Sequence, residues 1–110
     1  MKIIGHRGLV SFSPENSLIS LEYFKPLKLN WIEVDVIMTK DGKPIIFHDK
    51  KLDRVSNFQG EVNKLTYNQL KSVDIGYKYA LTFTGERIPL LSEFIEKCKK
   101  LSINIFLELK

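Results

Sequence analysis

The chain has 110 residues, of which 44% are hydrophobic and 27% charged, an ordinary composition for a globular domain. Its net charge of +4 comes from lysines and arginines spread along the chain, and no motif for reading nucleic acid is present. The single Cys98 excludes an intramolecular disulfide, and no apolar run approaches the ~20 residues of a membrane span. No signal peptide is recognised, so we expect a cytoplasmic protein.

The first predicted elements are a short apolar strand at residues 2–5 and a helix that begins at Ser13. The Ser13 hydroxyl suits an N-cap, and Pro14 suits the first position of a helix. Apolar side chains then recur at helical spacing until Pro26 ends the segment.

In the next predicted strand, residues 31–38, apolar and acidic side chains alternate. Because side chains along a strand point to alternate faces, Glu33 and Asp35 share one face, opposite the apolar residues. We expect the apolar face to pack on helices and the acids to point into the interior of a barrel. A tight turn at residues 39–42, too short for a crossover helix, leads to a third strand at 44–48.

The last part of the chain predicts two helices and a strand. Thr66 and Gln69 have the spacing of a capping box before a short helix. Residues 92–101 predict a longer amphipathic helix with lysines in its last turn, and residues 103–109 predict the fourth strand. Strands interspersed with helices favour an α/β fold with a mostly parallel sheet.

Polar side chains recur toward the C-terminal ends of all four predicted strands. Parallel sheets and barrels bind their ligands at that edge, and surface accidents would not all fall at the same end of successive strands. These residues are His6 and Arg7, Glu33 and Asp35, His48 and Asp49, and Glu108 and Lys110.

Three of these residues are carboxylates that would repel one another unless a cation lay among them. Oxygen ligands such as those of Glu33, Asp35 and Glu108 suit Mg²⁺ or Ca²⁺. The pattern therefore predicts a divalent cation as cofactor.

The remaining polar residues suit acid–base chemistry on a phosphate. His6 and His48 are candidates for general acid and base, because the pKa of a free imidazole lies near neutrality. Arg7 and Lys110 offer the positive charge that a phosphate requires. Together with a metal, these groups are the parts of a phosphodiester hydrolase.

The order of motifs along the whole chain resembles the glycerophosphodiester phosphodiesterase family. The matching segments are His6-Arg7-Gly8, Pro14-Glu15-Asn16-Ser17, Glu33-Val34-Asp35-Val36, Thr39-Lys40-Asp41-Gly42, Phe47-His48-Asp49, Leu52-Asp53-Arg54, Asp74-Ile75-Gly76, Ile88-Pro89 and Leu107-Glu108-Leu109-Lys110.

This resemblance implies a fold, a reaction and a set of roles. The fold is a (β/α)₈ barrel of the TIM type, of which residues 1–110 would form the N-terminal half, strands 1–4, with a small insertion after strand 3 at about residues 51–89. The reaction is metal-dependent hydrolysis of a glycerophosphodiester to glycerol 3-phosphate and an alcohol. Asn16 would support the site, and Asp49 would orient His48. Tyr79 and Phe83, within the insertion, are expected to lie in the core, with a substrate-facing position as the alternative.

Two features depart from the family pattern. Leu90 stands where a threonine commonly follows Ile-Pro, so we expect Ser92 to cap the helix instead. The chain also lacks the second four strands of the barrel. Two alternatives to a working phosphodiesterase therefore stay open: a non-catalytic half barrel that binds a phosphate ligand or a partner chain, and a phospholipase D-like enzyme that acts on lysolipids.

Overall fold

The computed structural model describes residues 4–8, 10 and 12–110. Its strands and α-helices are β1 (Ile4–His6), β2 (Trp31–Met38), β3 (Pro44–Ile46), α1 (Tyr67–Leu70), α2 (Leu91–Lys100) and β4 (Asn104–Leu109), and short 3₁₀ helices span Ile19–Tyr23, Val62–Lys64 and Leu81–Phe83. Residues 2 and 3 of the first predicted strand lie outside this description. Within it, no helix is both long and apolar enough to cross a bilayer.

The sheet is built around β2, which pairs with all three other strands. β1 and β4 run parallel to it, with His6 opposite Glu33 and Asp35 opposite Glu108. β3 runs antiparallel to β2, and its register places Val36 opposite Ile46. The sheet is therefore mostly parallel, as expected, but β3 is not a parallel barrel strand. The turn before it is too short for a parallel return.

Strands β1 and β3 lie along the same edge of β2 and run toward each other. The carbonyls of Glu33 and Asp35, two residues apart, point to the same edge of the strand. The Glu33 carbonyl accepts from the N–H of Arg7 at 2.5 Å, and the Asp35 carbonyl accepts from the N–H of Phe47 at 3.0 Å. The end of β3 therefore lies next to the end of β1.

The outward face of β2 forms the main core. Its apolar side chains pack against the segment after β1 and against α2 in a cluster of Leu21, Phe24, Ile32, Val34, Val36, Ile46, Phe94, Cys98 and Ile103. Phe94 of α2 is fully buried there, which contributes about 1.5–3 kcal/mol relative to an exposed side chain. The alternation predicted for this strand is confirmed, because Glu33 and Asp35 are left on the opposite face.

The segment after Ser13 is not the helix that the sequence predicts. Asn16 has a left-handed backbone, φ 54°, which no α-helical turn accommodates, and helical structure is limited to Ile19–Tyr23. The hydroxyl of Ser17 accepts from the N–H of Ser20 at 3.3 Å, the bond expected of a capping hydroxyl. The left-handed turn leaves Asn16 itself close to β2.

The two capping predictions differ in outcome. Thr66 and Gln69 form the capping box of α1, with each side chain accepting from the backbone N–H of the other residue. The expectation for Ser92 is wrong, because α2 begins one residue earlier and Leu90 occupies the N-cap position. The carboxylate of Glu93 accepts from the Leu90 N–H at 3.0 Å and satisfies the start of the helix instead.

Residues 51–89 build a second apolar cluster against β3 and the end of β2. Its buried members are Ile37, Ile45, Phe47, Leu52, Val62, Leu70, Val73, Ile75 and Ile88. Tyr79 does not belong to it: its ring is 41% exposed and packs edge-to-face on Phe83, and its hydroxyl donates to the carbonyl of Val10. Core burial was therefore the wrong expectation for Tyr79. That residues 51–89 are an insertion into a barrel stays a prediction.

Candidate active site

The candidate site lies where the ends of β1, β3 and β4 surround the interior face of β2. His6 ends β1 and Arg7 follows it, and His48 follows β3 on the same edge of β2. Lys110 follows β4 on the other edge, where its backbone N–H donates to the carbonyl of Val36 at 2.9 Å. All eight predicted site residues thus lie toward one end of the sheet. His48 and Asp49 reach this end because β3 runs antiparallel to β2.

His6 is the most open of these side chains. Its Nδ1 lies 2.7 Å from the Oε1 of Glu33, and the imidazole is 60% exposed. The contact follows from the parallel register, which places the two residues directly opposite each other. His6 is therefore held by a carboxylate while most of its ring faces solvent.

Arg7 lies between His48, Glu15 and Asp35. Its backbone is left-handed, φ 53°, and Gly8 follows with φ 86° at a point where a Cβ would lie 2.6 Å from the Ser20 hydroxyl. The guanidinium Nη2 lies 2.7 Å from the Nε2 of His48, and Nη1 lies 3.5 Å from Glu15. Among the described residues, the buried Nε has no hydrogen-bond acceptor. An uncommon backbone conformation thus turns this cation into the site.

Asp35 is the buried carboxylate at the centre, with 1% of the residue exposed. Its oxygens lie 3.6 Å from the Nε of Arg7 and 3.6 Å from the Nζ of Lys110, on opposite edges of β2. Asn16 makes two long hydrogen bonds of 3.4 Å, one to the Asp35 carboxylate and one from the Asp35 N–H. These neighbours offset the cost of burying the charge.

Lys110 and Glu108 form a pair on the exposed face of β4. The Lys110 ammonium lies 2.9 Å from Glu108, and this contact lowers the pKa of the Glu108 carboxyl and raises the pKa of Lys110. The two side chains share one face because they are two residues apart. Lys110 therefore reaches both carboxylates that flank it, Asp35 and Glu108.

His48 is held by a chain of side-chain contacts that the sequence predicted only in part. The Nδ1 of His48 lies 2.6 Å from Asp49, as expected. Asp49 is in turn bound by the guanidinium of Arg54, which lowers the pKa of the Asp49 carboxyl to about 2. Arg54 also binds Glu15 through two nitrogens. Glu15 and Arg54 both lie in the motifs named above, but their positions in loops did not indicate that they are in contact.

The donor set for a metal ion agrees in chemistry and in register with a hard divalent cation. Glu33 and Asp35 lie on one face of β2, and Glu108 lies opposite Asp35 on β4. In the present rotamers Glu33 contacts His6, and Glu108 contacts Lys110. Over the described residues, no three metal-binding side chains come together in one group. These carboxylates therefore match the donor chemistry of such an ion, but in this arrangement they do not form a single group.

A cleft of about 680 Å³ opens beside these residues. His48, Asp49 and Lys110 line it on the side of the site, and Met38 and Asn63 are among the residues that line the rest. This volume lies within the range of small-molecule binding pockets, about 300–1,000 Å³.

Comparison with known proteins identifies the family of the chain. The model of the glycerophosphoryl diester phosphodiesterase family matches residues 6–110. The chain belongs to this family. Two glycerophosphodiester phosphodiesterases illustrate the likeness: one from Bacillus altitudinis is 38% identical over 110 residues, and one from Caldanaerobacter subterraneus subsp. tengcongensis is 39% identical over 94 residues.

The structural likeness extends over the whole chain. The structure of an Oleispira antarctica phosphodiesterase in complex with its product sn-glycerol-3-phosphate superposes with a TM-score of 0.95 and 36% identity. The superposition covers 100% of this chain and 44% of that one, and the two sequence relatives are covered over 45% and 39% of their lengths. The chain thus spans less than half the length of the relatives it matches, which is consistent with half of the family's barrel.

Proposed function

We propose that the chain carries a site for hydrolysis of glycerophosphodiesters to glycerol 3-phosphate and an alcohol. The observation that carries the proposal is that Arg7 and Lys110 both approach Asp35, while His48 contacts Arg7 and His6 contacts Glu33, at one end of the sheet. Family membership and the product bound by the Oleispira antarctica relative support the same reaction class.

Arg7 and Lys110 bind the phosphate in this proposal. Their cationic groups reach Asp35 from opposite edges of β2, so an anion over Asp35 lies between two positive charges. The buried Nε of Arg7 still lacks an acceptor among the described residues, and a phosphate oxygen would provide one. Arg7 contributes a planar guanidinium that can donate two parallel hydrogen bonds, and Lys110 contributes a compact positive charge.

His6 and His48 act as the general acid–base pair. The guanidinium of Arg7 can only donate, so the Nε2 of His48 accepts and its Nδ1 carries the hydrogen that Asp49 accepts. One imidazole takes the proton of the attacking oxygen as the new P–O bond forms. The other gives a proton to the alcohol oxygen as its P–O bond breaks.

Glu33, Asp35 and Glu108 would hold a divalent cation, Ca²⁺ or Mg²⁺. When bound, such an ion neutralises phosphate charge and polarises the phosphorus–oxygen bonds. Asn16 then keeps Asp35 in place through its two contacts, and Asp49 orients His48.

The test is release of glycerol 3-phosphate from glycerophosphocholine by this chain, with Ca²⁺ or Mg²⁺ and then with a chelator. We expect metal-dependent release that is lost in Glu33→Ala and kept in Glu96→Ala, which removes an exposed carboxylate of α2. Release that persists with chelator, or in Glu33→Ala, would contradict the metal assignment. A folded chain that releases no product would contradict the proposed activity.

A second candidate is a half barrel that binds a phosphate ligand without hydrolysing it. The exposure of apolar side chains on β4 favours it: Phe106, Leu107 and Leu109 are 45%, 43% and 76% exposed. Such a surface suits a partner chain. Saturable binding of sn-glycerol 3-phosphate by a chain without turnover would support this reading.

A further inference from the structure

Five side chains beside the proposed site form a closed ring of polar contacts. Starting at His48, the ring passes to Asp49 at 2.6 Å, to Arg54 at 2.8 Å, to Glu15 at 2.8 Å, to Arg7 at 3.5 Å and back to His48 at 2.7 Å. With a neutral imidazole, the two carboxylates balance the two guanidinium groups.

Arg54 joins the loop after β1 to the loop after β3. Its Nε and Nη2 donate to the two oxygens of Asp49, and its Nη1 and Nη2 donate to the two oxygens of Glu15, at 2.8 to 3.0 Å. Exposed ion pairs usually stabilise a fold little, but a guanidinium that binds two carboxylates bidentately restricts the orientation of both. A lysine ammonium cannot bind two carboxylates bidentately in this way.

The contact with Arg54 determines what Asp49 can do for His48. One oxygen of Asp49 accepts from Arg54 and from the Nδ1 of His48 at the same time. Arg54 is also the largest cause of the lowered pKa of Asp49, so this carboxyl stays ionised and acts only as an acceptor. An acceptor held at Nδ1 retains the hydrogen on that nitrogen and leaves Nε2 free of it.

We propose that Arg54 is a positioning residue that holds Asp49 at the Nδ1 of His48 and, together with the Arg7 donor at Nε2, fixes the tautomer and orientation of His48. This inference rests on the proposed function for the role of His48 in catalysis. The geometry that it invokes, however, is measurable without any substrate. Arg54 acts by holding Asp49 between the two loops, and Glu15 anchors the other end of the guanidinium.

The experiment is nitrogen-15 NMR of the imidazoles in the 110-residue chain, which has two histidines, His6 and His48. His6→Gln assigns the signals of His48. We compare the unsubstituted chain with Arg54→Ala, Arg54→Lys and the control Arg87→Lys, which changes an exposed arginine 3.8 Å from Asp74. We expect the Nδ1–H form of His48 in the unsubstituted chain and in Arg87→Lys.

In both Arg54 variants we expect a partial shift toward the Nε2–H form that free imidazole prefers, because Asp49 is no longer held at Nδ1 while Arg7 still donates to Nε2. If Arg54→Ala fails to fold, Arg54→Lys tests the proposal, because it retains the charge and removes only the bidentate donor geometry of the guanidinium. An unchanged tautomer in a folded Arg54 variant, or an Nε2–H form in the unsubstituted chain, would overturn the proposal.

Kinetics supply the second readout. With glycerophosphocholine, Arg54→Lys should lower kcat by about 10- to 100-fold, the loss typical of an outer partner that orients a functional side chain, with a smaller change in KM. Free guanidinium ion should restore part of the activity of Arg54→Ala. An unchanged kcat in Arg54→Lys would contradict the positioning role. Absence of hydrolysis by the unsubstituted chain would contradict the proposed function alone, because the tautomer comparison still decides the role of Arg54.

Discussion

The Nη2 of Arg7 lies 2.7 Å from the Nε2 of His48, although 41 positions separate the two residues in the chain. The contact exists because β1 and β3 approach each other head-on along one edge of β2. A cation suited to phosphate is therefore next to an imidazole suited to proton transfer. A phosphate bound by Arg7 would therefore lie beside His48.

Arg7→Lys should lower kcat/KM for glycerophosphocholine by about 10²- to 10³-fold, the loss expected when an electrostatic donor at a reacting group is removed. Lysine keeps the charge but cannot contact His48, Glu15 and a phosphate together. The matched control, Arg87→Lys, should retain full activity. Equal kcat/KM values for the two variants would show that Arg7 does not bind the phosphate.

Asp35→Ala should destabilise the fold as well as abolish activity. The change leaves Arg7 and Lys110 without their shared carboxylate and Asn16 without its partner, which should cost about 1–3 kcal/mol. Urea unfolding of Asp35→Ala and of the exposed control Glu96→Ala measures the difference. Equal free energies of unfolding in the two variants would show that the contacts around Asp35 do not stabilise the fold.

The faces of β2 were predictable from the sequence because their cause is local. Side chains alternate along any strand, so Val34 and Asp35 must face opposite sides. The antiparallel direction of β3 follows from the short turn at residues 39–42, but the resemblance to a barrel assigned this segment as a parallel strand. The start of the first helix was predicted wrongly, since the left-handed conformation of Asn16 interrupts a pattern of good helix signals.

The positions of the candidate site residues were predictable from the sequence, but the contacts between them were not. Strand ends locate His6, Arg7 and Lys110, because their spacing along the strands determines their position. Arg54 belongs to a loop whose path has no periodicity, so its bridge between Glu15 and Asp49 becomes visible only in three dimensions.

The pair of Arg54 and Asp49 should make the fold sensitive to acid in a defined window. The folded pKa of Asp49, about 2, lies below the ~3.9 of a free aspartate, so its contribution to stability is complete above about pH 4 and is lost as the pH falls through about 2. Urea unfolding between these pH values should show a steeper loss of stability in the unsubstituted chain than in Asp49→Asn. Parallel pH profiles would contradict the lowered pKa.

Cys98 should be unreactive while the chain is folded. It lies on the buried face of α2, and burial raises the pKa of its thiol to about 12. A disulfide reagent should therefore label Cys98 slowly in buffer and rapidly in urea, because the thiolate is the reactive species. Rapid labelling in buffer would show that the thiol is not buried between α2 and the sheet.

The central claim is that the histidines at the ends of β1 and β3 act on one phosphodiester. The most direct measurement is hydrolysis of glycerophosphocholine, followed by phosphorus-31 NMR with Ca²⁺ or Mg²⁺, for the unsubstituted chain, His6→Ala and His48→Ala. We predict glycerol 3-phosphate from the unsubstituted chain and a loss of about 10²- to 10⁴-fold in kcat for each variant, the range for a general acid or base. His48→Ala should bind the metal nearly as well as the unsubstituted chain. Undiminished turnover in either variant, or no product from the folded unsubstituted chain, would contradict the claim.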